Sequence, residues 1–230
     1  MQDFSTNTIR GLIGLFARKG YIVYDKPYQL NIVGVRNSST VPNKFDDKIY
    51  AFWKEPNGKW KGKYYTATTD TGTYWLRSPM SAQGSALLKE GQYKDAYQIG
   101  LHQGKYEALV QNKPVTVIRD YNRDNVLDFN NGKEETGMFG INIHRANAVG
   151  KTKTIDKYSA GCQVFEDASD YDNFMKLAKL HSSKYGNNFT YTLIDERAFN
   201  RAVRRNGLYV AIGLAALASL YLLYNKLQNK

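Results

Sequence analysis

The only cysteine of the sequence, Cys162, lies eighteen residues after His144, which is one of three histidines. Short apolar segments flank both residues, with Ile141 and Ile143 before the histidine and the pair 164–165 after the cysteine. This pattern predicts two adjacent strands whose ends present the imidazole beside the thiol. A thiol attacks as thiolate, and a free cysteine with a pKa of about 8.5 is mostly protonated at neutral pH. Because a neighbouring imidazole can take the proton, the two residues predict a Cys–His acyl-transfer site.

Three small residues, Ser159, Ala160 and Gly161, precede the cysteine. Small side chains leave backbone N–H groups accessible, and such groups can stabilise the oxyanion of a tetrahedral intermediate. We therefore count Ser159 and Gly161 with Cys162 and His144 as candidate catalytic residues. The residue types alone leave an alternative open, because a free cysteine often packs as a small buried apolar residue.

The order and spacing of His144 and the segment 159–162, Ser-Ala-Gly-Cys, resemble the motif of the L,D-transpeptidase (YkuD) family. In that family an apolar strand ends in histidine and is followed at a similar spacing by Ser-x-Gly-Cys. The upstream segment 69–74, Thr-Asp-Thr-Gly-Thr-Tyr, is similar to the family's Thr-Pro-x-Gly-x-aromatic turn. The similarity covers residues 28–195. The sequence around His144 and Cys162 resembles that of a branch of the family found in phages and Bacteroidota.

The resemblance implies a mainly β (α+β) fold, a YkuD-like mixed β-sandwich with a few helices, that processes the stem peptides of peptidoglycan. In the implied mechanism Cys162 attacks a peptide carbonyl, His144 takes the thiol proton, and the carbonyl of Arg145 orients the imidazole. N–H groups of residues 160–162 would hold the oxyanion. Water or an amine would then resolve the thioester, which gives hydrolysis or transpeptidation, and no cofactor is required. The candidate substrate-binding residues are Arg145, Thr71, Gly72, Tyr74 and His102.

Four positions depart from the family pattern: Asp70 replaces proline, Arg145 replaces glycine, Ala160 replaces histidine, and Val164 replaces the Arg or Asn that helps to hold substrate. The change at Val164 favours hydrolysis over transpeptidation, and Arg145 could take over the substrate contact. Two other classes stay open. One is a catalytically inactive wall-binding or virion structural protein with the same fold, and the other is a different Cys–His hydrolase that acts on an amide outside the wall.

A run of oxygen-bearing side chains resembles a calcium-binding loop and begins at Asp120. The expected ligands are Asp120, Asn122, Asp124 and Asp128, which occupy positions 1, 3, 5 and 9 of an EF-hand-like pattern. Asparagine replaces both the glycine expected at position 6 and the acid expected at position 12. The alternative is an Asx-rich turn whose side chains satisfy its own backbone.

The net charge of +11 is concentrated at the C-terminus, since residues 197–230 contain six Lys/Arg and no Asp/Glu. Within this region the seventeen residues 208–224 are uncharged, which is close to the minimum length for a transmembrane helix, and tyrosines lie near both ends. We expect a membrane anchor, with anionic lipid rather than nucleic acid as the partner of the basic flank. Small residues at every fourth position from 207 to 219 suit a helix–helix contact, so oligomers or other virion proteins are further expected partners.

The expected domain order is an amphipathic helix at 1–20, a YkuD-like catalytic domain at 21–196, and a basic linker with the anchor at 197–230. The N-terminal residues lack the continuous apolar segment of a signal peptide, and the charge around the anchor predicts a cytoplasmic domain. Peptidoglycan lies outside the cell. The expected location is therefore an internal-membrane phage virion or the bacterial envelope.

Local signals predict most of the secondary structure. Ser5 or Thr6 should cap the first helix, and a later helix should begin at Asp167 or Ser169 and end at Gly186. Residues 79–91 should form a loop. Strands are expected at 21–24, 30–35, 49–53, 60–68, 73–76, 115–118 and 189–194.

Overall fold

The computed structural model describes residues 2–207, which form a mixed α+β fold. The helices are α1 (Thr6–Lys19), α2 (Thr73–Arg77), α3 (Ala168–Tyr185) and α4, which covers residues 196–207 of the described chain. The strands are β1 (Gln2–Asp3), β2 (Asn31–Arg36), β3 (Asp47–Lys54), β4 (Trp60–Thr68), β5 (Ser85–Leu88), β6 (Gly91–His102), β7 (Tyr106–Gln111), β8 (Val115–Asp120), β9 (Glu134–Gly137), β10 (Ile143–Arg145), β11 (Gln163–Phe165) and β12 (Phe189–Asp195).

Nine of these strands form one mixed sheet in the order β1-β4-β11-β10-β7-β6-β12-β2-β3. Because β3 also pairs with β4, the strands from β4 to β3 close on themselves, and the short β1 adds to β4 outside this closure. Two pairs, β2–β12 and β10–β11, are parallel, and the other pairs are antiparallel. The remaining strands form a separate antiparallel sheet in the order β5-β8-β9.

Two apolar clusters stabilise the closed sheet. The larger cluster lies between the sheet and α3, where Tyr65, Phe165 and Phe174 are fully buried and their rings contact one another. The smaller cluster packs α1 and α4 against β2, β3 and β12, with Phe16 of α1 buried next to Phe52. Burial of these aromatic rings supplies much of the driving force for folding.

The helix ends follow the predicted caps. The Ser5 hydroxyl accepts a hydrogen bond from the Thr8 N–H, and the Asp167 carboxylate accepts from Ser169 N–H at the start of α3. Gly186 ends α3 with a positive φ of 87°. These predictions are confirmed, because a cap depends on side chains within one turn of the helix end.

Three local predictions were wrong. Residues 73–76 form the helix α2 rather than a strand, since Leu76 packs into the interior and the Trp75 indole donates to the carbonyl of Lys157. Residues 21–24 form no strand, because the Ile22 N–H pairs with the side chain of Gln92 rather than with a ladder. The loop expected at 79–91 contains β5.

Helix α4 occupies the first part of the region expected to be a basic linker. It runs along α1, where an atom added as Cβ at Gly11 would lie 3.0 Å from the Cα of Val203, and Asn206 donates to the carbonyl of Asn7. The predicted transmembrane helix at 208–224 lies outside the described residues. Within residues 2–207 no helix has the length and apolar character needed to cross a bilayer.

Candidate active site

Strands β10 and β11 bring the histidine and cysteine segments together. They lie side by side and parallel, with Ile143 opposite Gln163 and His144 opposite Val164. Cys162 immediately precedes β11, and both its side chain and that of His144 line one cavity of about 440 Å³. The predicted adjacency of the two segments is therefore confirmed.

The turn before the cysteine is held by Ser159. Its hydroxyl donates to the carbonyl of Cys162 at 2.8 Å and accepts from the N–H of Gly161 at 3.1 Å. Gly161 has a φ of +122°, and a Cβ there would lie 2.1 Å from the carbonyl oxygen of Ala86. The serine is thus a positioning residue for the turn. The Gly161 N–H, expected to serve the oxyanion, is already engaged, whereas the Cys162 N–H makes no hydrogen bond to any residue between 2 and 207.

Cys162 is half-buried, and its sulfur contacts the backbone opposite it. Its thiol donates to the carbonyl of Gly140 at 3.4 Å and accepts from the N–H of Asn142 at 3.4 Å. Burial raises the pKa of the Cys162 thiol to about 11, although the Asn142 N–H acts in the opposite direction. The resting group is therefore a neutral thiol.

The His144 imidazole is held by the carbonyl of the next residue, as the resemblance implies. Its Nδ1 lies 2.8 Å from the oxygen of Arg145, and the Tyr106 hydroxyl donates to that same oxygen at 3.1 Å. A neutral ring that donates from Nδ1 carries its lone pair on Nε2. Only 3% of His144 is exposed, and within the described chain its Nε2 has no hydrogen-bond partner.

A second imidazole stacks on the first. The rings of His102 and His144 are 4.0 Å apart and inclined by 19°, and the Asn142 amide lies 3.0 Å from Nδ1 of His102. Burial, followed by the neighbouring His102, lowers the pKa of His144 to about 3, while the Arg145 carbonyl opposes the shift. Burial and Lys105 also lower the pKa of His102. Both rings are neutral near pH 7.

The site thus pairs a neutral thiol with a neutral imidazole. Such a pair cannot offer a preformed thiolate, but its base can remove the thiol proton as the sulfur attacks. In the structure the thiol donates to the Gly140 carbonyl, and it makes no hydrogen bond to Nε2 of His144. The arrangement is suited to general-base catalysis on an acyl group.

The other predicted substrate-binding residues lie outside the cavity lining. Arg145 stacks on Tyr106, with its Cζ 4.5 Å from the ring centroid, and lines a neighbouring groove. Thr71 is fully buried, and Tyr74 is exposed on α2. Gly72 contacts the site indirectly: its N–H donates to the Ser159 carbonyl at 2.9 Å and so supports the turn before the cysteine.

The predicted calcium loop folds on itself. The Asn122 amide donates to the carboxylates of Asp124 at 2.9 Å and Asp128 at 2.8 Å, and Asp120 accepts from the Asp128 N–H at 3.1 Å. Burial, with smaller contributions from these two acids, raises the pKa of Asp120 to about 6. The part of the chain that the structure describes contains no group of three His, Cys, Asp or Glu placed to hold a metal ion. Calcium binding therefore stays a prediction, and the contacts match the Asx-rich alternative.

Sequence reasoning did not find three residues of this site. Asn142 touches both Cys162 and His102, Tyr106 supports the Arg145 carbonyl, and Arg119 lines the cavity from the second sheet. The position of Asn142 between Ile141 and Ile143 was the one available signal, because alternation along a strand separates it from its apolar neighbours. Tyr106 and Arg119 come from distant strands and carry no local signal.

Comparison with known proteins identifies no relative of this chain. No protein-family model, no curated protein and no solved structure matches it.

Proposed function

We propose that this protein is a cysteine-dependent acyltransferase or peptidase that acts on peptidoglycan stem peptides. The supporting observation is the geometry of His144. Its Nδ1 is held by the Arg145 carbonyl, its Nε2 is buried and unpaired among the described residues, and His144 lines the same cavity as Cys162. A buried nitrogen without a partner is costly, and such groups concentrate where a reaction uses them. The choice of peptidoglycan rests on the resemblance of the His and Ser-Ala-Gly-Cys segments to L,D-transpeptidases.

In the proposed reaction the Cys162 thiol transfers its proton to Nε2 of His144 while the sulfur attacks the peptide carbonyl carbon. The tetrahedral oxyanion is stabilised by backbone N–H groups at the cavity, for which that of Cys162 is free. Collapse breaks the C–N bond, the imidazolium protonates the leaving amine, and a thioester remains. Water, deprotonated by the imidazole, then attacks the thioester carbonyl; the C–S bond breaks, the acid is released, and the imidazolium returns a proton to the Cys162 sulfur. An acceptor amine in place of water gives transpeptidation.

The electrostatics of the thiol favour a second candidate, a wall-binding module without catalysis. Burial raises the pKa of Cys162 to about 11, and the sulfur contacts a carbonyl rather than the imidazole. In this candidate the cavity binds a wall peptide and releases it unchanged.

Purified sacculi distinguish these functions. They are incubated with the wild-type protein and with Cys162→Ala, and the products are identified by mass spectrometry. New free peptides with the wild type alone indicate hydrolysis, and new cross-links or exchanged amino acids indicate transpeptidation. Unchanged sacculi that retain both proteins equally contradict the enzyme and support the binding module.

A further inference from the structure

The cavity around Cys162 is electropositive. Its lining includes the cations Arg119 and Lys157, and within the described chain no Asp or Glu lines it. Glu135 pairs with Arg119 and offsets part of this charge, but no described residue forms an ion pair with Lys157, whose Nζ lies 4.4 Å from the centroid of the Tyr74 ring. A cavity of this composition favours an anionic ligand.

Arg119 is anchored by two of its nitrogens, and its third nitrogen is an unpaired donor among the described residues. Its Nε donates to Glu135 at 2.7 Å, its Nη1 donates to the carbonyl of Gly84 at 3.2 Å, and its Cζ lies 4.9 Å from the centroid of the Phe139 ring. Nη2 has no hydrogen-bond partner among residues 2–207, and it is not fully buried. An anchored guanidinium loses little entropy when it binds a carboxylate.

The guanidinium is linked to the nucleophile through two consecutive residues. Phe139 stacks on Arg119, and the carbonyl of the next residue, Gly140, accepts the Cys162 thiol hydrogen bond. A group held by Arg119 would therefore occupy the cavity that Cys162 also lines. Val164, at the position where the resembling family has Arg or Asn, is fully buried in β11 and cannot make such a contact.

We infer that Arg119, assisted by Lys157, binds a free carboxylate of the peptide that enters this cavity. The inference rests on the proposed function for the peptide nature of the ligand. The matching ligand is a short peptide whose terminal carboxylate lies next to the amide presented to Cys162. A charge-assisted hydrogen bond from an arginine is much stronger than one between neutral groups, so a carboxylate is preferred to the corresponding amide.

Binding to a catalytically silent protein tests this inference separately from catalysis. In the full-length Cys162→Ala background, titration calorimetry compares a tripeptide ending in D-alanine with the same tripeptide amidated at its C-terminus. We expect the free acid to bind roughly 10- to 100-fold more tightly. Arg119→Gln should remove most of this ratio and Lys157→Gln part of it. Arg123→Gln, which makes the same charge change outside the cavity, should leave it intact.

The controls keep the outcomes distinct. Because Arg119 is buried, circular dichroism must show that Arg119→Gln is folded, and the exposed Lys157 gives a second variant that does not depend on the buried pair. Equal affinity for acid and amide, absence of binding to both, or a ratio unchanged in folded Arg119→Gln and in Lys157→Gln would overturn the inference. A clear carboxylate preference together with unchanged sacculi would instead reject the enzyme and keep the carboxylate site.

Discussion

At Cys162 and His144, burial acts on both side chains in the direction that removes charge. The thiol keeps its proton because its pKa is raised, and the imidazole stays unprotonated because its pKa is lowered. A thiolate–imidazolium pair would need the reverse order of the two pKa values. In the proposed reaction the thiol proton would therefore move to the imidazole during attack rather than before it.

The reactivity of the thiol tests this electrostatic description. At pH 7.5 we expect iodoacetamide to label Cys162 roughly tenfold or more slowly than a model thiol, because the thiolate fraction is smaller. The rate should keep rising with pH towards the pKa of about 11. Mass spectrometry of the labelled protein over a pH series gives the measurement. A plateau below pH 8 would reveal an ion pair and contradict the neutral resting state.

The buried Asp120 makes stability depend on pH. Its pKa is raised from 3.8 to about 6, so the folded state holds a proton that the unfolded chain has already released between these values. The contribution of Asp120 to the free energy of unfolding is therefore fully present below pH 4 and is lost as the pH rises to about 6. Asp120→Asn keeps an acceptor for the Asp128 N–H but cannot ionise. We expect a smaller fall in Tm between pH 4 and pH 7 in this variant.

Thermal melts in the presence of a chelator provide the comparison, with the exposed Asp25→Asn as the matched control. A fall in Tm equal to that of the wild type would show that Asp120 does not cause it. Addition of calcium to the wild-type protein then tests the calcium prediction. An increased Tm that Asp124→Asn abolishes supports ligation, and an unchanged Tm favours the Asx-rich turn.

At the scale of the elements, the turn between 159 and 161 decides where the sulfur lies. It packs against Ala86 of β5 and leads into β11, and Gly161 fits there because its backbone has a left-handed φ and closely approaches Ala86. A Cβ at this position meets the backbone of Ala86 most closely, at 2.1 Å, and also the end of the Ile141 side chain at 2.9 Å. The two sheets are therefore in contact at the same point that positions Cys162.

Gly161→Ala should consequently destabilise the fold by about 3 kcal/mol or more, through the steric contact added to the cost of a positive φ. Gly58→Ala is the matched control, since Gly58 also has a positive φ but nothing lies within 4 Å of its added Cβ. Its expected loss is about 1 kcal/mol. Urea unfolding measures both, and equal losses would contradict the close packing at Ala86.

The contact between α1 and α4 rests on a glycine as well. A Cβ at Gly11 meets the backbone of residues 202–203 at 3.0–3.2 Å, whereas at Gly14 it meets only the end of the Arg18 side chain at 3.4 Å. We expect Gly14→Ala to stabilise the protein by about 0.5–1 kcal/mol through helix propensity. Gly11→Leu should destabilise it by about 1–3 kcal/mol because the helices must separate. Denaturant melts of both variants test this, and a stable Gly11→Leu variant would contradict the packing.

At the scale of the whole molecule, the cavity forms where the two sheets meet. His102 and His144 come from the closed sheet, while Ala86 and Arg119 come from the smaller one. Neither sheet carries the site by itself. Helices α1 and α4 pack on a separate apolar cluster. Gly207 lies beside Asn7, at the start of α1.

The predicted anchor can be tested on the full chain. We expect the protein to float with vesicles that contain anionic lipid, and a variant with Leu214→Lys and Leu217→Lys to lose this behaviour, since each buried charge costs about 2.5–3.5 kcal/mol at the centre of a transmembrane helix. Density-gradient flotation is the measurement. Flotation of the doubly substituted protein to the same extent would contradict a transmembrane anchor.

The sequence by itself determined the local parts of this protein. The caps at Ser5 and Asp167 and the end of α3 at Gly186 follow from signals within a few residues, and the adjacency of the His144 and Cys162 segments follows from two apolar runs separated by a short polar segment. Hydrogen bonds of a cap and the alternation of a strand act over short distances along the chain, so residue types and spacing predict them.

Only the tertiary structure decided the surroundings of the sulfur. The stacking of His102 on His144, the approach of Arg119 and the helical state of 73–77 depend on segments far apart in sequence. The pKa values depend on the same packing, because the cost of charging a buried group is set by whatever encloses it. Residue types therefore indicated a nucleophile and a base, whereas the closed sheet and its neighbour set their charge and the character of the cavity.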